Sequence, residues 1–118
     1  MFSAGTGFRE PGQQTVRAPD IAFIQTDRLP TNLTGYSEVM PDLVVETISP
    51  NETVPETAKK TAWWLKQGVR LVWNVDPETK QVTAHHPDGQ ARVYAEDQTL
   101  DGGQVLPGFT LDLAKLFA

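Results

Sequence analysis

Apolar and polar positions along this chain change period several times, and the clearest block lies in its middle. Residues 43–48, Leu-Val-Val-Glu-Thr-Ile, form a nearly continuous apolar run broken by one glutamate. That is the pattern of a strand covered on both faces. Ser49-Pro50-Asn51 ends the run, and Thr53-Val54-Pro55-Glu56 matches a capping box, with its proline placed early where a missing N–H costs little. A helix is expected from there to about Gln67, stopped by Gly68. Ala58, Thr61, Ala62 and Leu65 make its expected core-facing stripe. Of the adjacent Trp63 and Trp64, one is expected in the core and the other partly exposed. Residues 69–75 read as a second buried strand, with Trp73 in the core and Asp76-Pro77 closing it. Strand, helix and strand in this order form a βαβ unit with a right-handed crossover, so the two strands should be parallel.

The flanks are less periodic. Residues 1–15, rich in Gly, Ser, Gln and Pro, read as a flexible N-terminal arm with a short edge strand around Phe8. Residues 16–24 read as a strand with Pro19 near its start, and residues 25–41 as a long connection. Toward the C-terminus, residues 81–85 and 91–94 flank Pro87-Asp88-Gly89 and read as a hairpin. Gly102-Gly103 and Pro107-Gly108 mark further turns. Residues 111–117 are expected as a short terminal helix whose Leu113, Leu116 and Phe117 pack on the sheet. The expected fold class is α/β in the mixed α+β sense: a mixed sheet with one main helix after the central strand.

Composition narrows the class without choosing a function. A chain of 118 residues supports one domain with a modest core. No apolar run approaches a membrane span and Met1 is not followed by a signal segment, so the expectation is a cytoplasmic protein with no membrane partner. The absence of cysteine rules out disulfides and thiolate metal sites. A net charge of −5, with ten scattered basic residues, argues against strong non-specific nucleic-acid binding and leaves room only for a local basic groove. Arg17 and Arg70 are the best candidates for phosphate contacts.

Three residues carry the chemistry: Asp20, Glu46 and Lys60. Alternation puts Asp42, Val44, Glu46 and Ile48 on one strand face. Asp42 lies roughly 13 Å from Glu46 along the strand, at ~3.3 Å per residue, too far to share one ion. It reads as a strand-start residue. Asp20 comes from another strand and approaches Glu46 if the two strands are neighbours. Two carboxylates brought together repel, and a cation relieves the repulsion. The backbone carbonyl of Thr47 adds a third oxygen. Glu46 stands apart because a mid-strand carboxylate is costly to bury unless paired or ligated. Lys60, in the second helical turn, either leans toward the sheet end or pairs in solvent with Glu56. Two carboxylates and a lysine form the minimal set for metal-assisted phosphodiester hydrolysis. His85-His86 reads as a pair of surface strand residues, because adjacent rings point to opposite faces and no third ligand is suitably spaced.

Residues 16–24 (Val-Arg-Ala-Pro-Asp-Ile-Ala-Phe-Ile), 41–50 (Pro-Asp-Leu-Val-Val-Glu-Thr-Ile-Ser-Pro), Lys60 before Gly68-Val69, 72–77 (Val-Trp-Asn-Val-Asp-Pro) and 106–109 (Leu-Pro-Gly-Phe) are similar to blocks of a known family. In order and spacing they resemble the Uma family of restriction endonucleases, bacterial members of the PD-(D/E)XK nuclease superfamily, from about residue 7 onward. The resemblance implies a restriction-endonuclease-like sheet with a divalent metal, Mg²⁺ or Mn²⁺, and DNA as substrate. Asp20 matches the first acidic position and Glu46 the second. The superfamily's usual lysine, two residues after the second acid, is here Ile48, and Lys60 matches the lysine of members in which it has moved to the following helix. Ser49 matches the serine of the family's Glu-x-x-Ser stretch and is expected to shape the strand-to-helix turn. Family members carry a preceding helical portion, so residues 16–118 are expected as an N-terminally truncated core that self-associates, as a homodimer. The expected function is a metal-dependent endonuclease. The alternative is a non-catalytic homologue serving as a dimerisation or partner-binding module.

Overall fold

A computed structural model describes Gly7–Arg9, Val16–Arg17, residues 20–24, Tyr36–Ser37 and residues 40–118. In chain order the elements are β1 (Gly7–Arg9), β2 (Val16–Arg17), β3 (Ile21–Phe23), β4 (Tyr36–Ser37), β5 (Leu43–Thr47), α1 (Val54–Lys66), β6 (Leu71–Asp76), β7 (Gln81–His85), β8 (Ala91–Ala95), β9 (Thr99–Gly102), β10 (Leu106–Asp112) and α2 (Leu113–Leu116). A five-stranded sheet in the order β3-β5-β6-β7-β8 carries the structure. Its one parallel step is β5–β6, the pair joined through α1, as the strand–helix–strand pattern requires. The remaining steps are antiparallel.

The ends of α1 follow from local chemistry. Thr53 is the N-cap, its hydroxyl accepts the Glu56 N–H, and the Glu56 carboxylate accepts the Thr53 N–H in return. Two of the orphan donors at this helix end are thereby satisfied. At the other end Gln67 caps the helix, and Gly68 takes φ +98, a left-handed conformation that glycine adopts without penalty. The helix buries Thr61 and Trp64, while Ala58 and Ala62 stay exposed. The expected stripe is therefore rotated. Trp64 offers far more apolar area than two alanines and takes the position over the sheet, and Trp63 sits edge-on to it with ring centroids 4.9 Å apart.

Several flanking expectations change. The stretch 16–24 is not one strand: β2 and β3 belong to different sheets, and a bend at Asp20 precedes β3. β1 is the middle strand of a second, three-stranded sheet, between β2 and β4, rather than an edge. The rest of the expected arm lies outside the described residues. The turn glycines and prolines of 102–108 lie within a hairpin, β9–β10, whose register shifts between Leu106 and Thr110. Gly102 is required there, because a Cβ would strike the Leu106 backbone. The terminal helix is correspondingly shorter, capped by Asp112, with Leu113 fully buried and Leu116 exposed.

The core lies in two clusters, one on each face of the sheet. Ala22, Ile24, Met40, Val44, Val69 and Val72 pack with Trp64 on the α1 side. Leu43, Leu71, Trp73, Val82, Ala84 and Leu113 pack on the other, under the β9–β10 hairpin and α2. Among the described residues no helix is long and apolar enough to cross a membrane.

Candidate active site

The site forms where the strand pairing ends. In the β3–β5 ladder Ile21 pairs with Val45, so Asp20 stands one position further on, at the level of Glu46. The carboxylate of Asp20 accepts the backbone N–H of Thr47 at 2.6 Å. That bond closes the gap left where β3 bends away and fixes Asp20 across the end of β5. Neighbouring strands thus bring the two expected carboxylates together. Asp42 is elsewhere: it is buried at the start of β5, where its N–H donates to Phe23 and its carbonyl accepts from Arg70. That agrees with a strand-start role.

Glu46 is half-buried beneath α1, and the indole of Trp64 hydrogen-bonds its carboxyl group. Burial, and then the charge of Asp20, push its pKa from 4.5 up to about 7, against the opposing influence of Lys60 and the indole. The Glu46 carboxylate is therefore short of positive charge at neutral pH, the electrostatic state that a bound cation relieves. Two carboxylates and the nearby Thr47 carbonyl are hard oxygen donors suited to Mg²⁺ or Mn²⁺. Among the described residues no three His, Asp or Glu side chains group as a complete metal-binding set, so backbone and solvent oxygens would have to complete the shell.

Lys60 leans to the sheet end. Its ammonium pairs with Glu52 at 3.4 Å, while the solvent alternative, Glu56, has its carboxylate engaged in the helix cap. Ser49 shapes the strand-to-helix turn through its backbone: its carbonyl accepts the Glu52 N–H at 3.0 Å, and its N–H donates to the Glu52 carboxylate. Glu52 is the residue that sequence reasoning missed. In sequence it is one more loop acid ahead of a cap, yet its side chain is only 7% exposed. Burial and Coulomb partners across the turn are what distinguish it.

Beside the carboxylates, between α1 and the sheet, opens a cavity of about 1000 Å³. Its walls include Asp20, Thr47, Glu52, Ala58, Asn74 and His85, but neither Glu46 nor Lys60. Asn74, opposite Glu46 in the β5–β6 ladder, donates to the Thr61 hydroxyl at 3.1 Å and lies 3.0 Å from His85 Nε2. An amide nitrogen only donates, so Nε2 accepts and the ring proton sits on Nδ1. Burial, and then the charge of His86, lower the His85 pKa and favour this neutral form. His85 is accordingly a half-buried cavity residue and not a surface one, whereas His86 is exposed. The two rings do diverge as strand alternation demands.

Comparison with known proteins shows the family and the fold. A family model described as "Putative restriction endonuclease" (Uma2) matches residues 1–114. The chain belongs to that family. No curated protein matches it. Among solved structures, a protein from Anabaena variabilis described as a "putative nuclease belonging to DUF820" has the same fold, with a TM-score of 0.84 at 21% identity over 98% of this chain. The match spans 66% of that longer chain. The restriction-endonuclease-like mixed α+β architecture is thus shared.

Proposed function

We propose that this member of the Uma2 family is an endonuclease that hydrolyses DNA phosphodiester bonds, with Mg²⁺ or Mn²⁺ held by Asp20, Glu46 and the Thr47 carbonyl. The observation that carries the reading is the juxtaposition of Asp20 with Glu46, whose carboxyl is driven up to about 7 by burial and by the charge of Asp20. A divalent cation bound there supplies Lewis-acid polarisation of a phosphoryl oxygen and a more acidic water. The chain's own groups do the rest. Thr47 N–H fixes the direction of Asp20, and the Trp64 indole fixes that of Glu46. The Lys60 ammonium sits close enough to act on Glu46 and offsets the negative charge that grows on the phosphoryl group during attack. Ser49 supports the turn from which these groups project. The net charge of −5 predicts weak, strongly salt-sensitive DNA binding by one subunit, and a homodimer in the cytoplasm would present two such sites to one duplex.

One observation favours a second reading, a non-catalytic module that binds a partner. The α1 flank facing the cavity presents Val54 at 83% exposure together with exposed Ala58 and Ala62. Calorimetric titration of Mg²⁺ and Mn²⁺ into the parent and Glu46→Gln, followed by nicking assays on supercoiled DNA with Lys60→Ala, separates the two. Saturable binding lost in Glu46→Gln and cleavage cut to a low residual rate in Lys60→Ala are expected. Binding in neither protein, with no nicking by the parent, would leave the module.

A further inference from the structure

We propose that Glu52 is the positioning residue of this site: its anchored carboxylate holds the Lys60 ammonium at the Glu46 end of the sheet. The inference rests on the endonuclease reading for its catalytic consequence, though not for the contact itself. Glu52 lies in the turn between β5 and the N-cap of α1, and its side chain is 7% exposed against 44% for Lys60. Every contact of the carboxylate is directed. One oxygen accepts from Lys60 and from the Ser49 N–H, each at 3.4 Å, and the other accepts the Thr57 hydroxyl at 2.7 Å. The Thr57 bond outweighs burial and keeps the carboxyl below its ordinary range, so the group stays ionised. An anion anchored on both oxygens has little freedom to move. A long lysine side chain does, and loses rotamer entropy when held. The fixed partner therefore sets where the mobile one rests.

The same geometry argues against Glu52 as a metal ligand. Both of its oxygens already have donors, and it forms no metal-binding group with Asp20 and Glu46. Its influence reaches the reacting centre through Lys60. A lysine on the strand beside Glu46 would be oriented by the ladder itself, whereas one on α1 needs an anchor on the connecting turn.

The test uses two readouts on the full chain. In metal-free protein, ¹H–¹⁵N correlation spectra of lysine ammonium groups should show Lys60 protected from exchange in the parent and in Glu52→Asp, and lost in Glu52→Gln. In single-turnover cleavage of supercoiled DNA with Mg²⁺, Glu52→Gln should lower the maximal rate about 10–100-fold with half-saturation little changed. Glu52→Asp should recover most of that loss. Adding Glu52→Gln to Lys60→Ala should cost nothing further, because the two act as a unit. An unprotected Lys60 in the parent, protection that survives Glu52→Gln, or a full additional loss on the Lys60→Ala background would each overturn the proposal. A parent that cleaves nothing would defeat the endonuclease reading instead, and the ammonium spectra would then decide the Glu52 contact alone.

Discussion

The two faces of the five-stranded sheet are built from the same strands and differ in what they are for. Below, Leu43, Leu71, Trp73, Val82 and Ala84 form an uninterrupted apolar surface, closed by the β9–β10 hairpin and by Leu113 of α2. Above, Ala22, Val44 and Val72 begin an equally apolar surface under Trp64, but the same strands then present Glu46 and Asn74 toward their C-terminal ends. One face spends all its positions on burial. The other stops halfway and leaves carboxylates, an amide and a cavity at the strand ends, where open α/β sheets commonly bind ligands. If the proposed site is right, stability and chemistry are separable by face. The sharpest way to show it is Asp20→Asn. The amide keeps the size and an acceptor for Thr47 N–H but removes the charge. Cleavage should fall on the order of 10²–10³-fold and Mg²⁺ binding should weaken in calorimetry, with the melting temperature in EDTA unchanged or raised. A loss of folding instead would mean that Asp20 is a structural lock on β5.

The converse test lies on the lower face. Leu113 is fully buried against that cluster. Leu113→Ala should cost about 2–5 kcal/mol by urea unfolding. Below its transition the variant should bind Mg²⁺ as the parent does. A weakened cation site would show that the two faces are coupled through the sheet.

The legible part of this structure was local or periodic. The capping box at Thr53 and Glu56, the Gly68 stop, the parallel β5–β6 pair and the hairpin at Pro87-Asp88-Gly89 each depend on a few adjacent residues, and each is found. The meeting of Asp20 with Glu46 was legible as a condition, that their strands be neighbours, which the antiparallel β3–β5 pairing meets. What was not legible depends on non-local volume and charge. Alanines at 58 and 62 fit a core stripe as well as a cavity wall until Trp64 claims the sheet. His85 reads as a surface strand residue until Asn74 is seen across the ladder. The turns at 102–108 hide a hairpin because β9 ends on Gly102 and the bulged β10, with Pro107 and Gly108, lacks alternation. Glu52 has no sequence signature because its role is its distance from Lys60.

Glu46 gives the comparison a pH axis. A carboxyl whose folded pKa is raised binds its proton more tightly folded than unfolded. Its contribution to stability is thus full below the unfolded value of 4.5 and is lost as pH rises through about 7. At about 1.4 kcal/mol per pH unit, and discounted because solvent screens a carboxyl that is only half-buried, that loss is on the order of 1–2 kcal/mol. Glu46→Gln should match the parent near pH 4 and exceed its stability by up to that amount near pH 8, measured in EDTA. Saturating Mg²⁺ should reverse the order at pH 8, because in the proposed site only the parent's ionised carboxylate would hold the cation. Equal stabilities across the range would mean that the buried carboxyl is already relieved by other groups.

The smallest effect probes whether the upper face is carried by its helix as a unit. Thr53 donates its hydroxyl to Glu56 and accepts the Glu56 N–H, and Thr57, one turn on, returns its own N–H to the Thr53 carbonyl. Thr53→Ala removes the hydroxyl and should cost about 1 kcal/mol. The cap also joins the connecting turn that carries Glu52 to the first helical turn, which carries Thr57. Fraying there loosens the Thr57 bond to Glu52, and through it the anchor of Lys60. The cleavage rate should therefore fall more than the stability loss alone explains, while Leu113→Ala, with a larger loss of stability on the opposite face, should leave it untouched below the transition. Equal sensitivity of the rate to both substitutions would make the site a reporter of global stability and remove the distinction between the faces.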